Sequence, residues 1–312
     1  MTALASRPDA TAPPASAGRG VLHVLGHFAV ALLAAAGVAA VYYLAIRTEP
    51  GQLVDSTAMT AADLEHPRVT EVLRRALNGT TLVSLVAVCV AAAAIGIVRR
   101  RLDLTVAAAL LVLGANITSQ LLKARLPRPD LDGSGMANSF PSGHTTAAAS
   151  VAFALILVLP FAIRGTVALL GAAYVTIIAV ATVWAEWHRP SDTIGAMLVV
   201  LAWGALASTL VRARRAGIPG VTARPNRLAM MVFTVIGSIG AVVTAVGLAA
   251  VAAGSQSIAG VPDRLVFVAG AAAVLTAVAG TFLVWVRLAA GDQPSSPEGA
   301  PVPSSAHAPG LP

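Results

Sequence analysis

Three short stretches of this chain hold residue types that could handle a phosphoryl group. The first is Lys123 to Asp130 (KARLPRPD), which carries the only lysine together with Arg125 and Arg128. The second is Phe140-Pro141-Ser142-Gly143-His144, and the third runs from Glu186 through Trp187, His188, Arg189, Pro190 and Ser191 to Asp192. A phosphate ester needs cations on its oxygens, because charge moves within it during transfer. Lysine offers a point charge and arginine a planar fork of donors. Ser142 and the Gly143 amide fall at an expected helix N-terminus, where free N–H groups and the helix dipole favour an anion. Gly143 lets the backbone approach a ligand closely, and Pro141 just before it marks a sharp helix start. Histidine can act as nucleophile, acid or base near neutral pH. His188 and Asp192 are four residues apart, so a helix would put them on one face. The carboxylate would then fix the imidazole tautomer and leave the other ring nitrogen to attack phosphorus.

The elements that must position these residues are membrane spans. Of 312 residues, 57% are apolar and 11% charged, and the mean hydropathy is +0.80. A soluble domain carries about 25% charged residues, so this chain lacks the polar surface to cover itself in water. Apolar runs of about 20 residues, enough to cross the hydrocarbon core as a helix, recur between clusters of Arg and Pro. They predict an all-α, polytopic membrane bundle of eight spans: Val21–Ile46, Thr80–Val98, Leu104–Leu122, Ser142–Phe161, Thr166–Trp187, Ser191–Val211, Leu228–Ala253 and Leu265–Val286. Residues 1–20 and 289–312, rich in Pro, Ala and Ser, are expected to be disordered tails. The 47–79 segment reads as the longest polar loop, mixing four Arg with five acids, Asp55 among them. Within it, Val69–Leu77 has helical spacing suited to the membrane surface. With both termini cytoplasmic, Arg99–Arg101, Arg164 and the five Arg of 212–227 all lie inside, as the positive-inside rule requires. All three polar stretches then face out. The Ala, Val, Gly and Arg bias suggests a bacterial origin, and hence the inner (plasma) membrane.

Taken in order and on one side, the three stretches resemble the type-2 phosphatidic acid phosphatase superfamily of integral membrane lipid phosphatases. Residues 123–192 carry the likeness, and spans one to six match a six-helix family core. The resemblance implies a core over 21–211, with 212–288 as two additional helices. It also implies a metal-free, cofactor-free phosphohistidine mechanism. His188 would be the nucleophile, oriented by Asp192, and His144 the acid that protonates the leaving alkoxide. Lys123, Arg128, Ser142 and Gly143 would cradle the phosphate, and water would release it. Family substrates are mostly lipid phosphates and prenyl diphosphates. The chain departs from the family pattern twice. Only four residues separate Lys123 from Arg128, where six are usual. Thr182 stands six residues before His188, where the family has arginine. A lost clamp of that kind costs about 2–4 kcal/mol of transition-state stabilisation, by analogy with a lost oxyanion donor. Arg189 is the candidate substitute.

Other functions carry less support. The net charge of +7 would suggest a polyanion partner in a soluble protein, but the positive-inside pattern accounts for it. Aromatic residues make up 4% of the chain and do not interleave with a basic patch, which argues against nucleic-acid binding. Cys89 is the single cysteine, so there is no internal disulfide or thiolate cluster. His23 and His27 are spaced i, i+4 but have no third ligand near them. The partners expected are a lipid phosphate and the membrane lipids, with homo-oligomers left open. Two further readings use the same site: a phospho- or glycolipid transferase, and a non-catalytic lipid-phosphate binding or transport protein.

Overall fold

The computed structural model of the protein describes residues 15–61, 71, 75, 82–214, 225–253 and 263–290. All regular structure among them is helical. In chain order, α1 is Ala15–Val41, continued by a π-turn over Tyr42–Ile46, and α2 is Glu49–Thr60. Next come α3 (Leu82–Val98), α4 (Leu102–Arg125), α5 (Gly143–Val158) and α6 (Phe161–Trp184). The last three are α7 (Pro190–Arg214), α8 (Arg227–Ala253) and α9 (Asp263–Ala290). Six helices are long and apolar enough to cross a membrane: Val21–Ile46, Leu102–Arg125, Phe161–Trp184, Pro190–Arg214, Arg227–Ala252 and Arg264–Ala290. The protein is a multi-pass membrane bundle.

One expected span is shorter than a full crossing. Helix α5 has 16 residues, which at 1.5 Å per residue is about 24 Å against a core of about 30 Å. The expected Ser142–Phe161 span stops at Val158, because Pro160 cannot continue the helix and becomes the N-cap of α6. Arg164, expected in a loop, lies instead in the first turn of α6 and is buried. Its guanidinium donates to the carbonyls of Leu157, Leu159 and Ala289. Those acceptors sit at the C-terminal ends of α5 and α9, where carbonyls lack helical partners. Arg99 donates to the Val158 carbonyl, and Arg212 Nε donates to His27 Nε2 at 2.9 Å. These arginines thus gather at the end of α5 opposite to Gly143.

Helix α7 is the centre. Sixty-one per cent of its span is buried, against 22% for α1 and 17% for α8, so those two form the lipid-facing rim. Small residues let neighbours in close: Gly114 lies against Trp203, and Gly204 against Trp285 and Phe153. Phe153 and Trp285 stack with ring centroids 5.0 Å apart. The last two helices pair along their length, and α9 also packs against α7, α2 and α6.

The expected 47–79 loop begins as a helix. Thr48 caps α2, its hydroxyl accepting from the Gly51 N–H, and Pro50 sits in the first turn. Of Val69–Leu77, only Glu71 and Arg75 are described; they are helical and pair at 2.6 Å. The rest of that stretch, residues 1–14 and 291–312 lie outside the described residues.

Candidate active site

Four chain segments meet at the end of the bundle away from the arginine cluster: the end of α4, the 126–142 connection, the turn between α6 and α7, and the face of α2.

The α6–α7 turn carries His188. Helix α6 ends at Trp184, three residues before the expected limit. Glu186 takes a left-handed conformation (φ 57°), and the N–H groups of Trp187 and His188 both donate to the Thr182 carbonyl. This closes the helix in the manner of a Schellman turn. Glu186 and Trp187 are exposed, while His188, Arg189 and Pro190 are buried. His188 and Asp192 do come together, but not on a helical face. The helix starts only at Pro190, so the turn delivers the imidazole to the carboxylate.

Asp192 is fully buried. Its Oδ2 accepts from His188 Nδ1 at 3.3 Å, from the Arg189 N–H at 3.0 Å and from Ser139 Oγ at 2.5 Å. A carboxylate on Nδ1 assigns the proton there and leaves Nε2 with its lone pair.

The second stretch docks on the same turn. The Ser142 N–H donates to the Asp192 carbonyl at 2.9 Å. Gly195 permits this approach: a Cβ there would come within 2.2 Å of the Phe140 ring. Ser142 is buried and caps α5, its Oγ accepting from the Thr145 N–H at 3.3 Å. That leaves its own proton available to a phosphate oxygen. Gly143 is half-buried and its missing Cβ faces only Gln120, at an ordinary 3.5 Å. His144 follows in the first turn of α5, its ring centroid 6.3 Å from that of His188 and 5.5 Å from that of Trp187.

Lys123 lies in the last turn of α4, half-buried and close enough to His144 and Asp192 to couple with both electrostatically. Arg125 is exposed. Asn138 ties the end of α4 to the connection, donating to the carbonyls of Lys123 and Leu126 and accepting from the Phe140 N–H. The Arg128 side chain is only 2% exposed, yet both terminal nitrogens lack a hydrogen bond. Its nearest acid, Asp132, is 4.0 Å away. Burial, and next the Arg189 charge, lower its pKa, although a guanidinium stays charged at any working pH. Arg189 is also buried. Its Nε donates to Ser56 Oγ at 3.0 Å and Nη1 to Ser139 Oγ at 3.5 Å, while Nη2 has no partner. The two guanidiniums are near enough to repel each other. Buried N–H groups without acceptors beside a second cation make a site suited to an anion.

The site also includes residues that the sequence reading left out. Ser139 bridges Asp192 and Arg189. Ser56 accepts from Arg189 and donates to Asp132. The Asp55 carboxylate accepts from the Ser191 N–H at 2.9 Å and from Ser191 Oγ at 2.5 Å. Burial first, then the nearby Asp192 charge, push the Asp55 carboxyl up to about 7, against the lowering effect of the Ser191 hydrogen bonds.

Comparison with known families finds a match for one segment of the chain. Residues 84–216 match the model of the PAP2 superfamily. The PAP2 segment runs from α3 to just past α7. It therefore contains Lys123, Arg128, Ser142, Gly143, His144, His188, Arg189 and Asp192, and leaves out α1, α2, α8 and α9. At the family level the match supports phosphatase-like hydrolase chemistry. No curated protein and no solved structure matches the chain.

Proposed function

We propose that the protein hydrolyses a lipid-linked phosphate at the outer face of a bacterial plasma membrane through a phosphohistidine. The substrate favoured is a prenyl phosphate or diphosphate, or a related envelope lipid. The observation that carries the reading is the His188–Asp192 contact through Nδ1, next to two buried arginines with unpartnered N–H groups.

In the proposed reaction His188 Nε2 attacks phosphorus and the bond to the leaving oxygen breaks. His144, across the site, gives its proton to that oxygen. A water then attacks the phosphohistidine, losing a proton to His144 as phosphate leaves and His188 is restored. Lys123, Arg128, the Gly143 amide, the Ser142 hydroxyl and the unpartnered Nη2 of Arg189 would hold the phosphate oxygens and balance the charge that builds on them. In this scheme Arg189 reaches the phosphate from the α7 side, which offsets the threonine at position 182. The outer-face assignment rests on the arginines at the opposite end of the bundle.

The test is phosphate release by purified protein in vesicles, using prenyl monophosphate, prenyl diphosphate and phosphatidate. The His188→Ala variant is expected to be inactive, and the wild type to form an acid-labile, base-stable phosphoprotein. Release that survives His188→Ala would sink the histidine-nucleophile scheme. Phosphate transfer seen only with an added acceptor would make the protein a transferase instead. Binding without turnover would make it a lipid-phosphate carrier.

A further inference from the structure

Helix α2 lies outside the PAP2 segment, in a stretch whose charges read as a loop. Its inward face is polar. Gln52, Asp55 and Ser56 are spaced i, i+3 and i+4, so they share one side of the helix. Gln52 is fully buried; its Nε2 donates to the carbonyls of Ile46 and Pro129, and its Oε1 accepts from the Leu131 N–H. It therefore holds the connection on both sides of Asp130, just past Arg128. Asp55 and Ser56 reach the α6–α7 turn. Ser56 takes Arg189, and Asp55 takes both the N–H and the hydroxyl of Ser191. Arg189 and Ser191 are the residues immediately inside His188 and Asp192. One helix face thus grips the chain between the two members of the pair.

Asp55 supplies what the start of α7 lacks. The first N–H groups of a helix have no internal acceptor, and Pro190 removes one of them. The Ser191 N–H is the next, and a carboxyl oxygen of Asp55 supplies its acceptor. Water is a poor substitute there. Asp55 and Ser191 border a cavity of about 510 Å³ lined mainly by apolar side chains, including Val54, Ala58, Ile194, Leu248, Val251 and Val266. A cavity so lined gives water few partners.

We propose that Asp55 is a positioning residue of the site: by holding Ser191 it fixes the first turn of α7, and with it the direction in which Asp192 presents His188. The proposal rests on the catalytic reading of His188 given above.

The test uses the full-length protein in vesicles and compares Asp55→Ala, Asp55→Asn, Ser191→Ala and His188→Ala. A misplacement of about 1 Å at the reacting atoms costs on the order of 10²-fold. Asp55→Ala is therefore expected to lower kcat by about 10- to 100-fold and to change KM by less than about 3-fold. Asp55→Asn is expected to stay within about 3-fold of wild type, since its carbonyl can accept the Ser191 N–H and its amide can donate to Ser191 Oγ. Ser191→Ala should fall between them, and the Asp55→Ala/Ser191→Ala double variant should be no worse than Asp55→Ala alone. A wild-type kcat in folded Asp55→Ala would overturn the proposal. So would equal losses in the Asn and Ala variants, which would mean that the charge itself acts. If Asp55→Ala does not fold, Ser191→Ala decides, and a wild-type kcat there overturns the proposal. An inactive His188→Ala beside an unaffected Asp55→Ala defeats only the positioning role. An active His188→Ala defeats the catalytic reading itself.

Discussion

Arg128 offers a sharp separation between what stabilises the fold and what serves the reaction. Its side chain is 2% exposed, both terminal nitrogens lack acceptors, and the nearest carboxylate oxygen is 4.0 Å away. That carboxylate, Asp132, is already served by the Ser56 hydroxyl and the Ser134 N–H. Each buried polar group without a partner costs about 1–3 kcal/mol. The neighbouring Arg189 charge opposes the Arg128 guanidinium as well, so an apolar side chain of similar volume removes two orphaned N–H groups and a like-charge contact together. Arg128→Met should therefore raise the Tm of the ligand-free protein by several degrees, at about 2–4 °C per kcal/mol. The same change should remove a phosphate clamp and lower kcat by about 10²–10³-fold, as for a lost oxyanion donor. Inorganic phosphate at about 100 times its Kd would stabilise the wild type by about 2.7 kcal/mol and the variant hardly at all. The assay is thermal melting of purified protein with and without phosphate. A ligand-free Arg128→Met that melts below wild type would refute the claim that this guanidinium is held at a cost to the fold. Equal stabilisation of both proteins by phosphate would refute its place in the cradle.

Three further outcomes are expected. Asp192→Asn should lower kcat on the order of 10³–10⁴-fold, because an amide no longer enforces the Nδ1–H tautomer; steady-state turnover of the folded variant checks this, and a loss below about 10-fold would refute the orienting role. Stability should depend on pH through Asp55. The folded protein keeps a proton up to about 7 that the unfolded chain gives up near 3.8, so stability is highest below the lower value and declines as pH rises to the higher one. At about 1.4 kcal/mol per pH unit the whole effect is on the order of 4 kcal/mol. The charges around Asp55 are Asp192 and Arg189, at the start of α7, and Arg128 of the 126–142 connection, while α9 and the π-turn present apolar residues to the cavity beside it. Asp55→Asn should flatten the Tm profile between pH 4 and 7 (roughly that window), and parallel profiles for the two proteins would refute the assignment. Thr182→Arg should lower both Tm and turnover. Thr182 is fully buried and its hydroxyl already bonds the Ala179 carbonyl, so the larger side chain is forced into filled space at about 1–3 kcal/mol or more. A gain in turnover would show instead that position 182 still faces the phosphate.

These residues also explain which parts of the molecule could be read from sequence. Apolar runs reveal spans because lipid demands them, and the long helices follow. Their inward faces are another matter. In lipid every side of a helix is apolar, so hydrophobic periodicity does not show which side is buried. Close packing of Gly114 on Trp203 and of Gly204 on Trp285 does that work instead. His188, Asp192 and Ser142 were legible because ionisable or capping groups at span ends are costly without a role. Their spacing suggested a helical face, yet a turn supplies the contact, since Pro190 starts the helix two residues too late for His188 to join it. Ser139 carried no signal at all. It reaches Asp192 only because a glycine at 195 admits Phe140.

Helix α2 escaped notice for the opposite physical reason. Thr48, Glu49 and Pro50 form a recognisable helix start, but the face that α2 buries is Gln52, Asp55 and Ser56. A search for amphipathic helices assumes that the buried stripe is apolar, and here it is polar because it meets polar chain. Its acceptors and donors are a helix N-terminus, the carbonyls and N–H groups of an irregular connection, and an arginine. Such groups have no partners of their own class left. Wherever a membrane protein folds irregular backbone around a reaction site, some element must present polar side chains to it. That element will look like a loop in the sequence for the same reason that it is needed in the fold.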